Sequence, residues 1–314
     1  MIGKDITTVR QFDKSDIDRV ISLSKKLEKY LQTKGELDLL KDKILASLFF
    51  EPSTRTRFSF EAAMERLGGK IISATGMSGV SMGKGESLGD TVRTVERFCD
   101  IIVMRHPDVG SSDMAAKLVK IPFIGAGDGS GEHPTQALVD FYTIKKAKPA
   151  PNLKIALIGD LKYGRTVRSL LELLIEYNED ELYFVAPDEL QLPEEYYQEM
   201  TKKGVKFVKT NSLEKAVHEC DVLYMTRIQK ERFEDKNQYD QLKGYYVLNN
   251  QTIRDLKPDA VIMHPLPRID EIATEIDSDP RAIYFDQVEN AVYVRMAFLL
   301  IVFDRDGEFL SLEE

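Results

Sequence analysis

Residues 43–69 read KILASLFFEPSTRTRFSFEAAMERLGG. The first eight are a short, almost unbroken apolar run, the pattern of a parallel strand covered on both faces. From Ser53 onward the period changes to that of a helix. Ser53 is a candidate cap, and Gly68 or Gly69 a stop. A buried strand feeding straight into a helix is half of a β-α-β unit.

The same alternation continues in both directions. Ile17, Val20, Ile21, Leu27, Tyr30 and Leu31 form a helical stripe over 16–31. Further strand candidates fall at 101–104, 121–124, 153–158, 181–185, 205–208, 221–225, 260–263 and 282–285, with helical patterns between most of them. The expected fold class is α/β, two doubly wound parallel-sheet domains of similar topology with helices on both faces. A faint internal echo supports the two halves: CDIIVMRHPD (99–108) parallels CDVLYMTRIQK (220–230), and 43–58 parallels 154–170. The echo places four arginine-bearing turns just beyond strand C-termini, where open α/β sheets bind ligands. AKPAPN (147–152) reads as the break between halves. The last helix, 287–303, has no following strand to cover and is expected to pack back on the first half.

Bulk properties narrow the function. With 314 residues, two domains are the default expectation. The net charge of -9 argues against binding a nucleic-acid backbone, which needs a basic face. Only two cysteines occur, Cys99 and Cys220, with no CxxC pair, as in a reducing cytoplasm. The four histidines make no metal-binding spacing, so no protein metal site is expected. The N-terminus lacks an apolar signal region, and the longest apolar run, 296–303, is far short of a membrane span.

The candidate chemistry lies in the turns. Ser53-Thr54-Arg55-Thr56-Arg57 puts three hydroxyls and two guanidiniums at a helix opening, where free N–H groups and the dipole attract phosphate. A helix cap with surface arginines is the plainer alternative. Arg105-His106 follows a strand and by itself reads as a solvated turn. In the glycine-rich 125–136, Pro134 suits the first helical position, which sets His133 and Gln136 on the opening turn. GDLKYGRT (159–166) mimics a nucleotide-binding loop, but Arg165 replaces the lysine that must reach the phosphates. An arginine gripping a carboxylate is the better use. Arg227 and Gln229 open a polar arm that runs to 240 and brings an arginine to a second anion, or is merely a solvated loop. His264-Pro265-Leu266-Pro267 is a stiff turn able to present backbone carbonyls to an amine or amide.

In order along nearly the whole chain, FFEPSTRTRFSFE, SMGKGES, MRHP, GEHPTQALVDFYTI, GDLKYGRTVRSL, YMTRIQKER and HPLPRIDEI resemble the aspartate/ornithine carbamoyltransferase family. The ornithine branch carries HCLP and a late SMG motif. This chain has HPLP with Pro265, and Thr226-Arg227-Ile228-Gln229 at the late position, so it resembles the aspartate branch. Its Ser81-Met82-Gly83 lies in the first half and is a coincidence.

The resemblance implies transfer of a carbamoyl group from carbamoyl phosphate to aspartate, a step of pyrimidine biosynthesis, without cofactor or covalent intermediate. It implies a carbamoyl phosphate domain of 1–134 plus 288–314 and an aspartate domain of 135–287. Ser53, Thr54, Arg55 and Thr56 would hold the phosphate, joined by Ser81 and Lys84 from a neighbouring subunit of a homotrimer. Thr56, Arg105 and His133 would surround the carbamoyl oxygen, and Gln136, Pro265 and Leu266 its amide. Arg165, Arg227 and Gln229 would bind the aspartate carboxylates, with Lys84 and Leu266 beside them. It also allows a separate regulatory chain as partner, with any zinc belonging to that chain. A nucleotide hydrolase or a non-catalytic sensor of a phosphorylated metabolite are the rival classes.

Overall fold

The computed structural model describes residues 3–129, 131–228 and 244–312. The chain divides into two compact units, Met1–Tyr142 with Glu289–Glu314, and Thr143–Val288. The division falls inside a helix, a few residues before the proline-bearing stretch 147–152.

The first unit holds strands β1 (Asp5–Ile6), β2 (Ile44–Phe49), β3 (Lys70–Thr75), β4 (Ile101–His106) and β5 (Phe123–Asp128). They form one parallel sheet in the order β1-β5-β4-β2-β3. Between them run helices α1 (Lys14–Thr33), α2 (Thr54–Arg66), α3 (Leu88–Val95) and α4 (Ser111–Leu118), then α5 (Pro134–Ala147). Central β4 is buried along its whole length, as a strand covered on both faces must be. One layer of its cover packs Leu48, Ile102, Met104 and Phe123 against Val92. Each such side chain contributes about 1.5–3 kcal/mol on burial.

The second unit repeats the plan with β6 (Lys154–Ile158), β7 (Glu181–Val185), β8 (Phe207–Thr210), β9 (Val222–Met225) and β10 (Val261–Met263). Their parallel order is β10-β9-β6-β7-β8. Helices α6 (Arg165–Tyr177), α7 (Glu194–Lys203) and α8 (Leu213–Glu219) connect them, and α9 (Tyr284–Val302) returns the chain to the first unit.

Three features depart from the sequence reading. The stretch 282–285 is not a strand: Ala282 makes an isolated bridge to Ile262, and α9 has begun by Tyr284. Four apolar residues are too few for periodicity to separate a strand from a helix opening. Edge strand β3, largely exposed, has no continuous apolar run and escaped detection. So did β1, only two residues long.

The strand orders locate the sites. In the first unit the chain goes from β2 outward to β3, then crosses back to β4 on the other side of β2. In the second it goes from β6 to β7 and β8, then crosses to β9 on the other side of β6. The strand ends at β2/β4 and β6/β9 are therefore switch points, where connecting helices leave in opposite directions and open a crevice. At β6/β9 the chains nearly touch. A Cβ on Gly159, whose φ is +114°, would lie 2.3 Å from the Thr226 carbonyl oxygen, so only glycine fits.

Candidate active site

The β2/β4 switch point carries the motif from which the fold was read. Ser53 stands at the cap position of α2, but its hydroxyl makes no capping bond. First-turn N–H groups of a helix have no acceptor within it. Together with Thr54, Arg55 and Thr56 they form an anion-receptive end. Arg105 closes β4 one residue before the strand's end and is 8% exposed, with its Nε 3.0 Å from Glu51 Oε2. Burial pulls the Arg105 guanidinium down, and Glu51 opposes that. Burial also lowers Arg55, and the charge of Arg105 lowers it further. Two guanidiniums near enough to disfavour one another mark a place where an anion is welcome. Arg57, the second arginine of the motif, is instead taken up by Glu61 at 3.1 Å, one helical turn on.

His133 immediately precedes α5, and its Nε2 lies 3.3 Å from Thr56 Oγ1. The two residues expected to flank one carbonyl oxygen are thus adjacent. Gln136 lies on the first turn of α5, where Pro134 at the helix start puts it, and its amide bonds Asp140. Ser81 and Lys84 sit exposed on a separate short turn, Ser81–Lys84. Among the described residues neither side chain makes a hydrogen bond or ion pair, and nothing ties them to the Ser53–Thr56 cluster of their own chain.

In the second unit Arg165 opens α6 behind Gly164. Thr226 and Arg227 follow β9, with the Thr226 hydroxyl donating to Ile158 O at 2.9 Å. Arg227 lines a cavity with Gly159, Tyr246, Ile269, Asp270 and Glu271. Gln229 and most of the arm to 240 lie outside the described residues.

The turn at 264–268 is held by a buried pair. Leu266 N–H donates to His264 Nδ1 at 2.7 Å, so that nitrogen carries no proton, and Nε2–H donates to Glu271 Oε1, also at 2.7 Å. The other Glu271 oxygen accepts from the N–H groups of Ile269 and Asp270, and His264 N–H donates to Gln287. Burial alone would raise the Glu271 carboxyl. The His264 and backbone donors outweigh it and hold the carboxyl below its ordinary value. Leu266 has φ of +53°, and its bond to Pro267 is cis. Arg268 is spoken for: it pairs with Asp277 and stacks on Tyr284.

Glu51, Asp140 and Glu271 were given no role in the sequence reading, and His264 was named only as part of its turn. All four lie inside the motifs quoted above, and each bonds a neighbour in or beside the site, but only Gln136 and Asp140, four apart on one helix, have a spacing that points to their pair. Among the described residues no group of three His, Cys, Asp or Glu side chains could hold a metal ion, and no helix is long and apolar enough to cross a membrane.

Two family models match the chain. Residues 4–146 match the aspartate/ornithine carbamoyltransferase carbamoyl-P binding domain, and residues 151–302 the Asp/Orn binding domain. The aspartate carbamoyltransferase catalytic subunit of Thermococcus gammatolerans is 51% identical over 298 residues, 95% of this chain and 96% of that one. The solved catalytic subunit of aspartate transcarbamoylase from M. jannaschii has a TM-score of 0.89 at 45% identity, covering 97% of this chain and 99% of that one. Aspartate transcarbamoylase from Trypanosoma cruzi, solved with carbamoyl phosphate and aspartate, has a TM-score of 0.89 at 41% identity, covering 95% and 96%.

Proposed function

The chain belongs to the aspartate/ornithine carbamoyltransferase family, and from that premise we propose that it transfers the carbamoyl group of carbamoyl phosphate to the amine of L-aspartate. The products are N-carbamoyl-L-aspartate and phosphate. The observation that carries this reading is the placement of arginines at both switch points, Arg55 with Arg105 in one unit and Arg227 beside a cavity in the other. The relatives' names and the ligands of the T. cruzi structure support aspartate as the amine.

In this reading the hydroxyls and N–H groups of Ser53–Thr56, with Arg55, hold the phosphate of carbamoyl phosphate. Thr56, Arg105 and His133 face the carbamoyl oxygen, and Gln136, Pro265 and Leu266 its amide. Arg165, Arg227 and Gln229 hold the aspartate carboxylates, with Lys84 and Leu266 beside them. The neutral amine attacks the carbamoyl carbon, and the carbonyl electrons move onto oxygen. Preorganised donors stabilise that charge without reorganising during the reaction. The bond from carbon to the phosphate oxygen then breaks, the electron pair leaves with phosphate, and a phosphate oxygen takes the amine proton. No side chain forms a covalent intermediate. Holding the two reactants together lowers the barrier by ~7–11 kcal/mol at best.

The exposed, unengaged Ser81 and Lys84 are assigned to the phosphate site of the next subunit in a cyclic homotrimer, working in the cytoplasm. Product analysis with carbamoyl phosphate and a panel of aspartate, ornithine and acetylornithine tests the chemistry. Carbamoyl-aspartate is the expected product, and carbamoyl-ornithine as the main one would overturn the assignment. For the trimer, inactive Arg55→Ala and Lys84→Ala variants are dissociated, mixed equally and reassembled. Random closure of a three-membered ring restores about a quarter of the sites. No recovery means that each site lies within one chain. Native mass measurement of the same preparation, with and without a candidate zinc-bearing regulatory chain, reports any further partner.

A further inference from the structure

Asp140 lies in the middle of α5, fully buried. A buried carboxylate is costly unless paired. Its charge is felt by Arg295 of α9, itself 1% exposed, whose guanidinium is lowered by burial and raised by Asp140. The Arg295 guanidinium lies 4.8 Å from the centre of the Phe60 ring, and Nη1 donates to the Ser59 hydroxyl. That hydroxyl in turn donates to the carbonyl of Arg55. Arg295 thus braces the first turn of α2, which carries the phosphate hydroxyls, while balancing a charge on α5, which carries Gln136. In an otherwise apolar run, YVRMAFLLIVF, it is the lone charge, and nothing in the mechanism uses it directly.

The consequence falls on Gln136. Its Nε2 is 2.8 Å from Asp140 Oδ1. In that bond the amide NH2 donates and the carboxylate oxygen accepts. Its carbonyl oxygen is then fixed as an acceptor. Of the three groups on the carbonyl carbon of carbamoyl phosphate, the NH2 alone is a donor. We infer that buried Asp140 is a positioning residue that fixes the Gln136 amide as an acceptor and so makes the site select a carbamoyl over an acetyl group. A surface pair of the same spacing would add only a few tenths of a kcal/mol to helix stability, and burying two charges to achieve that would be a poor trade.

This inference rests on the proposed carbamoyl phosphate site, and the experiment separates the two. Phosphonoacetamide and acetonylphosphonate share the phosphonate and the carbonyl, and differ only in NH2 against CH3. Their dissociation constants are measured by calorimetry on the intact protein, with inorganic phosphate as a reference. The wild-type chain should bind the amide at least about tenfold more tightly, the worth of one good hydrogen bond in a dry site. In Asp140→Asn the neighbouring amide can take either orientation. That preference should fall towards unity while phosphate affinity stays within about threefold. If Asp140→Asn does not fold because Arg295 is left uncompensated, the double variant Asp140→Asn/Arg295→Met removes both charges, and the same ratio is read from it. A variant that weakens all three ligands alike, or keeps the wild-type ratio, overturns the inference. So does a wild-type chain that binds both analogues equally, and in that case the phosphate site stands. If the wild-type chain binds neither analogue nor phosphate, the proposed function itself fails.

Discussion

The two switch points share a topology and differ in how their arginines are held. At β2/β4, Arg105 is buried against Glu51, and Arg295 bonds Ser59 of the helix that follows β2. At β6/β9, Arg227 stands beside a cavity whose wall includes Asp270 and Glu271. The first place sets two guanidiniums, Arg55 and Arg105, against the carboxylate of Glu51, and the second sets Arg227 beside two carboxylates, Asp270 and Glu271. Such a division suits one ligand that is purely anionic and another that carries an amine as well as carboxylates. The fold supplies two equivalent crevices, and the side chains make them unequal.

The largest test of that inequality removes Arg105. The Arg105→Ala change takes away the donor proposed for the developing oxyanion and strands Glu51 in a half-buried place. Steady-state kinetics with carbamoyl phosphate and aspartate should show kcat reduced by about 10²–10³-fold, the range for losing one such donor. The loss should appear with every amine tested, because the damage lies on the carbamoyl side. A kcat within a few-fold of wild type would remove Arg105 from the reaction centre.

Removing Arg227 should act differently. Arg227→Ala deletes the charge-assisted bonds proposed to hold a carboxylate, worth about 1.5–3 kcal/mol. The expected signature is a rise in KM for aspartate of about ten- to a hundredfold. Affinity for phosphate and phosphonoacetamide should stay at the wild-type level. Wild-type kinetics with aspartate would mean that the carboxylates are held elsewhere, and the comparison between the two crevices would lose its second member.

How much of this could be read from the sequence follows the same division. Ser53–Arg57 was legible because polar residues interrupt two strongly periodic segments, and local pattern is what a sequence reports best. His133, Pro134 and Gln136 were legible for a related reason: proline marks the helix start and so fixes where its neighbours lie. Partners 54 to 236 residues distant, such as Glu51 for Arg105 or Arg295 for Ser59, leave no local trace. By residue pattern Arg57 is equivalent to Arg55, and the resemblance alone chose Arg55; the helix geometry supplies the physical difference, because Arg57 pairs with Glu61 one turn on. Gln229 took its carboxylate-binding role from the resemblance alone and lies outside the described residues.

The smallest expected effect concerns the turn at 264–268, where the second crevice is stiffened. Glu271 holds a carboxyl pKa below its ordinary value of 4.5 while buried against His264. A carboxyl whose folded pKa is depressed stabilises the protein above the unfolded pKa. That contribution disappears as pH falls through the folded value. Glu271→Gln keeps the size of the side chain but loses the charge. It should therefore cost stability near neutral pH, by about 1–3 kcal/mol for a buried charge-assisted bond. Below an ordinary carboxyl pKa of 4.5 the wild-type chain loses its advantage, so the gap between the two should narrow. Urea denaturation at several pH values measures the gap directly. Equal pH slopes for the two proteins would mean that the His264 bond does not depend on the Glu271 charge. The turn would then owe its shape to Pro265 and Pro267 alone, and the acidic wall beside Arg227 would serve the ligand and not the fold.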